Sequence, residues 1–145
     1  MAINFDRYKT SDFSKDCPDF KDISEKLVNF DQVRKDLWSQ LRSVDAYNDT
    51  NKTLIEIIDI THYSPYKSID KLFTEMRQKI FESLLLLINE GHLKIDFNHT
   101  LETQFKFKLV FCRGRKEDIK AYDYLRLKID NLIRPFGYAS IGLKL

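Results

Sequence analysis

Proline and glycine are scarce, with 3 and 4 residues in a chain of 145, which excludes collagen-like and proline-rich linker sequences. Cysteine is nearly absent. Cys17 and Cys112 stand alone and far apart, so no disulfide framework is expected, and both read as reduced thiols of a cytoplasmic protein. The longest apolar run, Leu84 to Ile88, falls far short of the roughly 20 residues a membrane span needs. No membrane association is expected. The opening residues, with Asp6, Arg7 and Lys9 among them, carry charge where a secretory signal would be apolar. Without that route the sequons at Asn48, Asn51 and Asn98 carry no chemical meaning. The four glycines, 91, 114, 137 and 142, fit neither a P-loop nor a dinucleotide fingerprint.

What is present is an ordinary globular balance: 43% hydrophobic and 32% charged residues, with a net charge of +2. That suffices for one core without metal or disulfide. Abundant Lys, Ile, Asn, Asp and Phe beside little Ala, Gly and Pro suggest an AT-rich gene of bacterial or phage origin.

The hydrophobic period divides the chain into three parts. Residues 1–19 show no sustained period and read as an irregular arm, pinned by Phe5, Tyr8 or Phe13. Asp22-x-x-Glu25 resembles a capping box. Ile23, Leu27, Phe30, Val33, Leu37, Leu41 and Val44 then recur at helical steps, so 20–50 is expected to be a helical extension, with Asn29 and Asp31 as a potential break. Asn48 to Asn51 closes it as a turn. Residues 53–145 form the expected core. Thr53 to Thr61 is β-branched and reads as a buried strand, with a helix as the alternative. Ile69, Leu72, Phe73, Met76, Ile80, Leu84, Leu87 and Ile88 mark a helix, widened by Phe81, Leu85 and Leu86 and ended by Gly91. The period then changes to two: Leu93, Ile95 and Phe97, then Phe105, Phe107, Leu109 and Phe111, read as a hairpin. Ile119, Tyr122, Leu125, Ile129, Leu132 and Ile133 mark another helix, and Tyr138 to Leu145 a closing strand. The order β-α-β-β-α-β predicts an α+β, ferredoxin-like split βαβ fold, its antiparallel sheet covered by helices on one face.

Chemical motifs are weak. His92, Asp96, His99 and Glu102 cluster in sequence, but on a strand His92 and Asp96 would stand about 13 Å apart, too far for one ion. No metal and no cofactor is expected. Cys112 beside Arg113 reads as a half-buried strand residue rather than a nucleophile. Catalysis has no motif, and an enzyme would need a site assembled from scattered residues.

Charge gives the clearest signal. Residues 1–66 carry 9 basic and 12 acidic groups, whereas residues 67–145 carry 15 and 10. Lys106, Lys108, Arg113, Arg115 and Lys116 form an expected basic patch on one strand and its turn. Tyr124, Tyr63 and Tyr66 are candidate aromatic anchors, with Trp38 beside them. The sequence therefore suggests a non-catalytic module that covers another protein's surface, as an inhibitor or immunity protein does. The alternative is a nucleic-acid-binding regulator of phage or mobile-element type. The third strand separates its aromatics from its lysines, so it offers no base-stacking platform.

Overall fold

The computed structural model describes residues 3–17, 20–59, 69–94, 105–113, 119–133 and 138–143. A 3-10 turn at Phe5–Tyr8 leads into β1 (Lys9–Thr10), followed by β2 (Leu27–Asn29), α1 (Phe30–Leu37), β3 (Ala46–Asn48) and β4 (Thr53–Asp59). Next come α2 (Ile69–Asn89), β5 (Lys106–Arg113), α3 (Ile119–Ile133) and β6 (Tyr138–Leu143). The strands form one sheet in chain order. β1 to β4 pair antiparallel, while β4, β5 and β6 run parallel.

The α+β class stands, but the sheet is mixed rather than antiparallel, and its order departs from the split βαβ arrangement. In that arrangement a strand inside 93–97 would reverse the chain. Leu93 and Lys94 are not in a strand, and 95–104 lie outside the described residues. Each described crossover instead joins adjacent strands through a helix, which produces parallel pairs.

The extended helix expected over 20–50 is also corrected. Of its apolar stripe, Leu27 lies in β2, Phe30, Val33 and Leu37 in the short helix α1, and Ile23, Leu41 and Val44 in the connections around them. Asn29 Oδ1 accepts from Gln32 N–H at 3.3 Å and caps α1 there, so the break at Asn29 is a helix start. No helix begins at Asp22.

Alternation along the strands makes two cores. Val28, Tyr47, Leu54, Ile58, Phe107 and Leu109 face the helices and pack with Phe30, Val33, Leu72, Met76, Ile80, Leu84, Leu87, Leu125 and Ile129. Phe105, Phe107 and Leu109 are thus buried in one core with Met76 and Ile129; the Phe111 side chain lies outside the description. Leu27, Ala46, Ile55, Ile57 and Val110 point the other way and pack against Phe13, Cys17 and Phe20. The second sheet face, expected to be open, is thus partly covered by the segment between β1 and β2. Cys17 is fully buried and disulfide-bonded, which corrects the reading of reduced thiols. The chain's only other cysteine is Cys112, in β5.

α2 ends as its sequence dictates. Gly91 has φ +78°, a left-handed conformation that costs glycine little. His92 and Leu93 N–H then donate back to Leu87 O. Leu86 is buried, but Phe81, Leu85 and Ile88 are exposed, so the widened stripe is narrower than expected. No described helix is long and apolar enough to cross a membrane.

Candidate functional site

β3 is shorter than β4. Their pairing runs from Asn48↔Thr53 to Ala46↔Ile55, so β4 continues past Ala46 without a strand on that side. Asp45 replaces the missing neighbour: its Oδ2 accepts from Ile57 N–H at 2.8 Å. The chain reaches this position under constraint, because Val44 N–H donates to Ser83 Oγ at 3.0 Å. Ser83 lies one helical turn beyond Lys79 on α2, so the contact that fixes Asp45 also sets its distance from that lysine.

Glu56 lies between Leu54 and Ile58 on the helix-facing side of β4 and is only 3% exposed. A carboxylate is almost never buried to that extent without a partner. Its Oε2 meets Lys79 Nζ at 2.8 Å. Its Oε1 is buried and has no hydrogen-bond donor. The neighbouring group is the Asp45 carboxyl, also an acceptor unless a proton or a cation lies between the two. Asp16, from the segment before β2, lines the same cavity as Asp45.

The three acids, with Lys79, line a cavity of about 440 Å³ together with Lys15 and Glu75. Burial and neighbouring charge favour the protonated form of two of these acids, Asp45 and Asp16. Burial, then the charge of Glu56 and the hydrogen bond with it, raise the Asp45 carboxyl well above the usual carboxylate range, against the opposing pull of Ile57 N–H and Lys79. Burial, then the charge of Asp45, push Asp16 up to about 7.

The described residues among those singled out from sequence do not line this cavity. Lys106 and Lys108 are exposed at the start of β5. The Arg113 backbone stands level with Asp59 at the other end of that strand. Seven residues at about 3.3 Å each separate the backbones of Lys106 and Arg113 by roughly 23 Å. Arg115, Lys116, Tyr63 and Tyr66 lie outside the described residues, as does the side chain of Arg113.

Tyr124 is 46% exposed. Its hydroxyl donates to Asp70 at 3.2 Å, and Lys128 Nζ pairs with the same carboxylate at 3.0 Å. Trp38 is half-buried and donates to Glu90. His92 is no ligand: its ring stacks on Phe5 and contacts Ile3 O at 2.7 Å, tying the first residues to the end of α2. Asp96, His99 and Glu102 lie outside the described residues. Asp16, Asp45, Glu56 and Lys79 escaped the sequence reading, although Glu56 leaves a trace as the one charge within Leu54-Ile55-Glu56-Ile57-Ile58.

Among the described residues no three His, Cys, Asp or Glu side chains make a set that could hold a metal ion. Two carboxylates do converge, and magnesium characteristically takes only one or two while keeping several waters. The donors are all hard oxygens, and an orphaned buried carboxylate oxygen is the acceptor such an ion would satisfy. No protein family, curated protein or solved structure matches this chain.

Proposed function

We propose that the chain is a divalent-cation-dependent hydrolase of phosphate esters, with Asp45 and Glu56 as cation ligands and Lys79 as the charged partner of the site. The observation that carries this reading is the convergence of the Asp45 and Glu56 carboxyls, with Lys79 at 2.8 Å from Glu56, on one cavity. Two buried acids side by side are destabilising, and such pairs cluster at functional sites. A cation bound there would activate water and offset charge developing on a phosphoryl oxygen. Lys79, within 2.8 Å of Glu56 and 29% exposed at its side chain, has a position from which it can hold the attacking water or the phosphate. The cavity lies toward the carboxyl end of β4, where parallel strands meet antiparallel ones, and ligands of open sheets favour such switch points. Arg113 ends the adjacent strand on the same side, which favours a nucleic-acid phosphodiester over a small phosphate ester.

Isothermal titration with Mn2+ and cleavage of a fluorescent single-stranded oligonucleotide test the reading together. Wild type is expected to bind Mn2+ and cleave, and Asp45→Asn and Glu56→Gln to lose both. Lys79→Met should keep the cation and lose cleavage by about 100-fold or more, the loss typical of one charge-stabilising group. Wild type that binds no Mn2+ refutes the proposal.

A non-catalytic protein-binding role is the second reading. It is favoured by Phe81, Leu85 and Ile88, which form an exposed apolar stripe along α2 at 37%, 55% and 43% exposure. Binding of Mn2+ without turnover on any phosphodiester would favour it.

A further inference from the structure

We infer that the outer face of α2 is the seam of a weak, parallel dimer of this chain. The inference does not depend on the cation reading, and it names the occupant of the exposed stripe on α2.

The spacing of the stripe points to a second helix. Phe81, Leu85 and Ile88 are large exposed apolar side chains at steps of four and three. Gln78, also exposed, extends the row by a step of three. Steps that alternate between three and four keep one narrow row turned toward a single partner helix. The row is not the helix's only apolar side. Leu72, Met76, Ile80 and Leu87 already pack into the core beneath α2.

Charge selects the occupant, because the two edges of the row differ in sign. Asp70 contacts Tyr124 and Lys128 of α3, which fixes one edge as the α3 side. Arg77 stands seven residues on, two helical turns along the same edge, and is exposed. The other edge is fixed by Glu82, whose Oε1 accepts from Arg42 N–H at 3.4 Å. Glu75, two turns before it, lies on that edge and lines the carboxylate cavity. With Gln78 and Leu85 at a positions and Phe81 and Ile88 at d positions, Arg77 falls at g and Glu82 at e. These are the flanking positions whose charges set partner and orientation.

Two copies of α2 side by side and pointing the same way bring each basic edge against the other's acidic edge. Arg77 of either copy then faces the edge that carries Glu75 and Glu82 of the other. An antiparallel pair would set acidic edge on acidic edge. A second copy therefore supplies the complementary helix from the same patch, as an isologous two-fold contact requires. The seam runs only from Gln78 to Ile88, and its polar a position weakens it further. So small a contact gives a transient pair, monomeric at about 10 µM and paired near about 1 mM.

Sedimentation equilibrium of the full chain across that range, with Leu85→Lys and Arg77→Glu beside wild type, tests the pair. Wild type is expected to pass from monomer to dimer. Leu85→Lys should stay monomeric, and since Leu85 is 55% exposed the variant keeps its fold, which near-ultraviolet circular dichroism verifies. Arg77→Glu should weaken the dimer about tenfold or more, because it sets acid against acid on both edges. Wild type that remains monomeric at the highest concentration overturns the inference and leaves the stripe to a different protein. A dimer that Leu85→Lys does not disturb overturns it too, since its interface lies on another surface. A dimer that Arg77→Glu leaves equal or tighter is not parallel and counts against it equally. Growth beyond the dimer also overturns it, because a two-fold pair closes.

Discussion

At the scale of single residues, the acids of the cavity make stability depend on pH in an unusual direction. Most native carboxylates are held below their unfolded pKa and stabilise the fold as pH rises. Asp16 and Asp45 do the opposite, because burial raises both, aided by the charge of Asp45 on Asp16 and of Glu56 on Asp45. A raised carboxyl binds its proton more tightly in the folded state, so its contribution is complete below the unfolded value near 4 and is lost as pH rises through the folded value. For Asp16 that window runs from roughly 4 to about 7. Metal-free protein is therefore expected to lose thermal stability between about pH 4 and 7, and Asp16→Asn to flatten that decline. Melting curves recorded in chelator across the range check this, and a stability that rises with pH would contradict it.

At the scale of elements, the strands and the helix faces carry different energies. Phe107 is fully buried where β5 meets the helices, and Phe107→Ala should cost about 3–5 kcal/mol through lost transfer energy and a residual cavity. Leu85 is 55% exposed on the outer face of α2, and Leu85→Lys should change stability by no more than about 0.5 kcal/mol. Urea denaturation of both variants measures the contrast. Helices α2 and α3 and strand β5 were legible because each keeps one period long enough to show it. The region 20–50 was not. Its apolar residues happen to fall at helical steps, but Leu27 and Val28 are consecutive and both buried on opposite sheet faces, which only a strand allows. The site was less legible still. Asp16, Asp45, Glu56 and Lys79 come from four separate segments and acquire meaning only when β3 stops short of β4. Glu56 alone left a sign, as a charge inside an apolar strand.

At the scale of the whole molecule, the parallel half of the sheet orients its three strands alike, so β4, β5 and β6 end on the same side as the carboxylate cavity. Lys106 and Lys108 begin β5 at the opposite side, roughly 23 Å from Arg113 and beyond a Debye length of about 8–10 Å. For a polyanion bound at the cavity, Arg113→Ser should weaken affinity and flatten its salt dependence, because one fewer phosphate is neutralised. Lys106→Ser with Lys108→Ser should leave both within about twofold. Fluorescence anisotropy of a labelled oligonucleotide over a salt series distinguishes them, and the reverse result would move the polyanion to the start of β5.

The shortness of β3 has a consequence for self-association as well. Past Ala46, β4 has no described strand on that side, and an unpaired edge is the kind of backbone to which another chain can add a strand. Asp45 occupies the Ile57 N–H at that edge and places an acid beside it, so an incoming strand would meet a donor already taken and a buried carboxyl in its path. The same side chain that lines the carboxylate cavity thus guards this edge against aggregation.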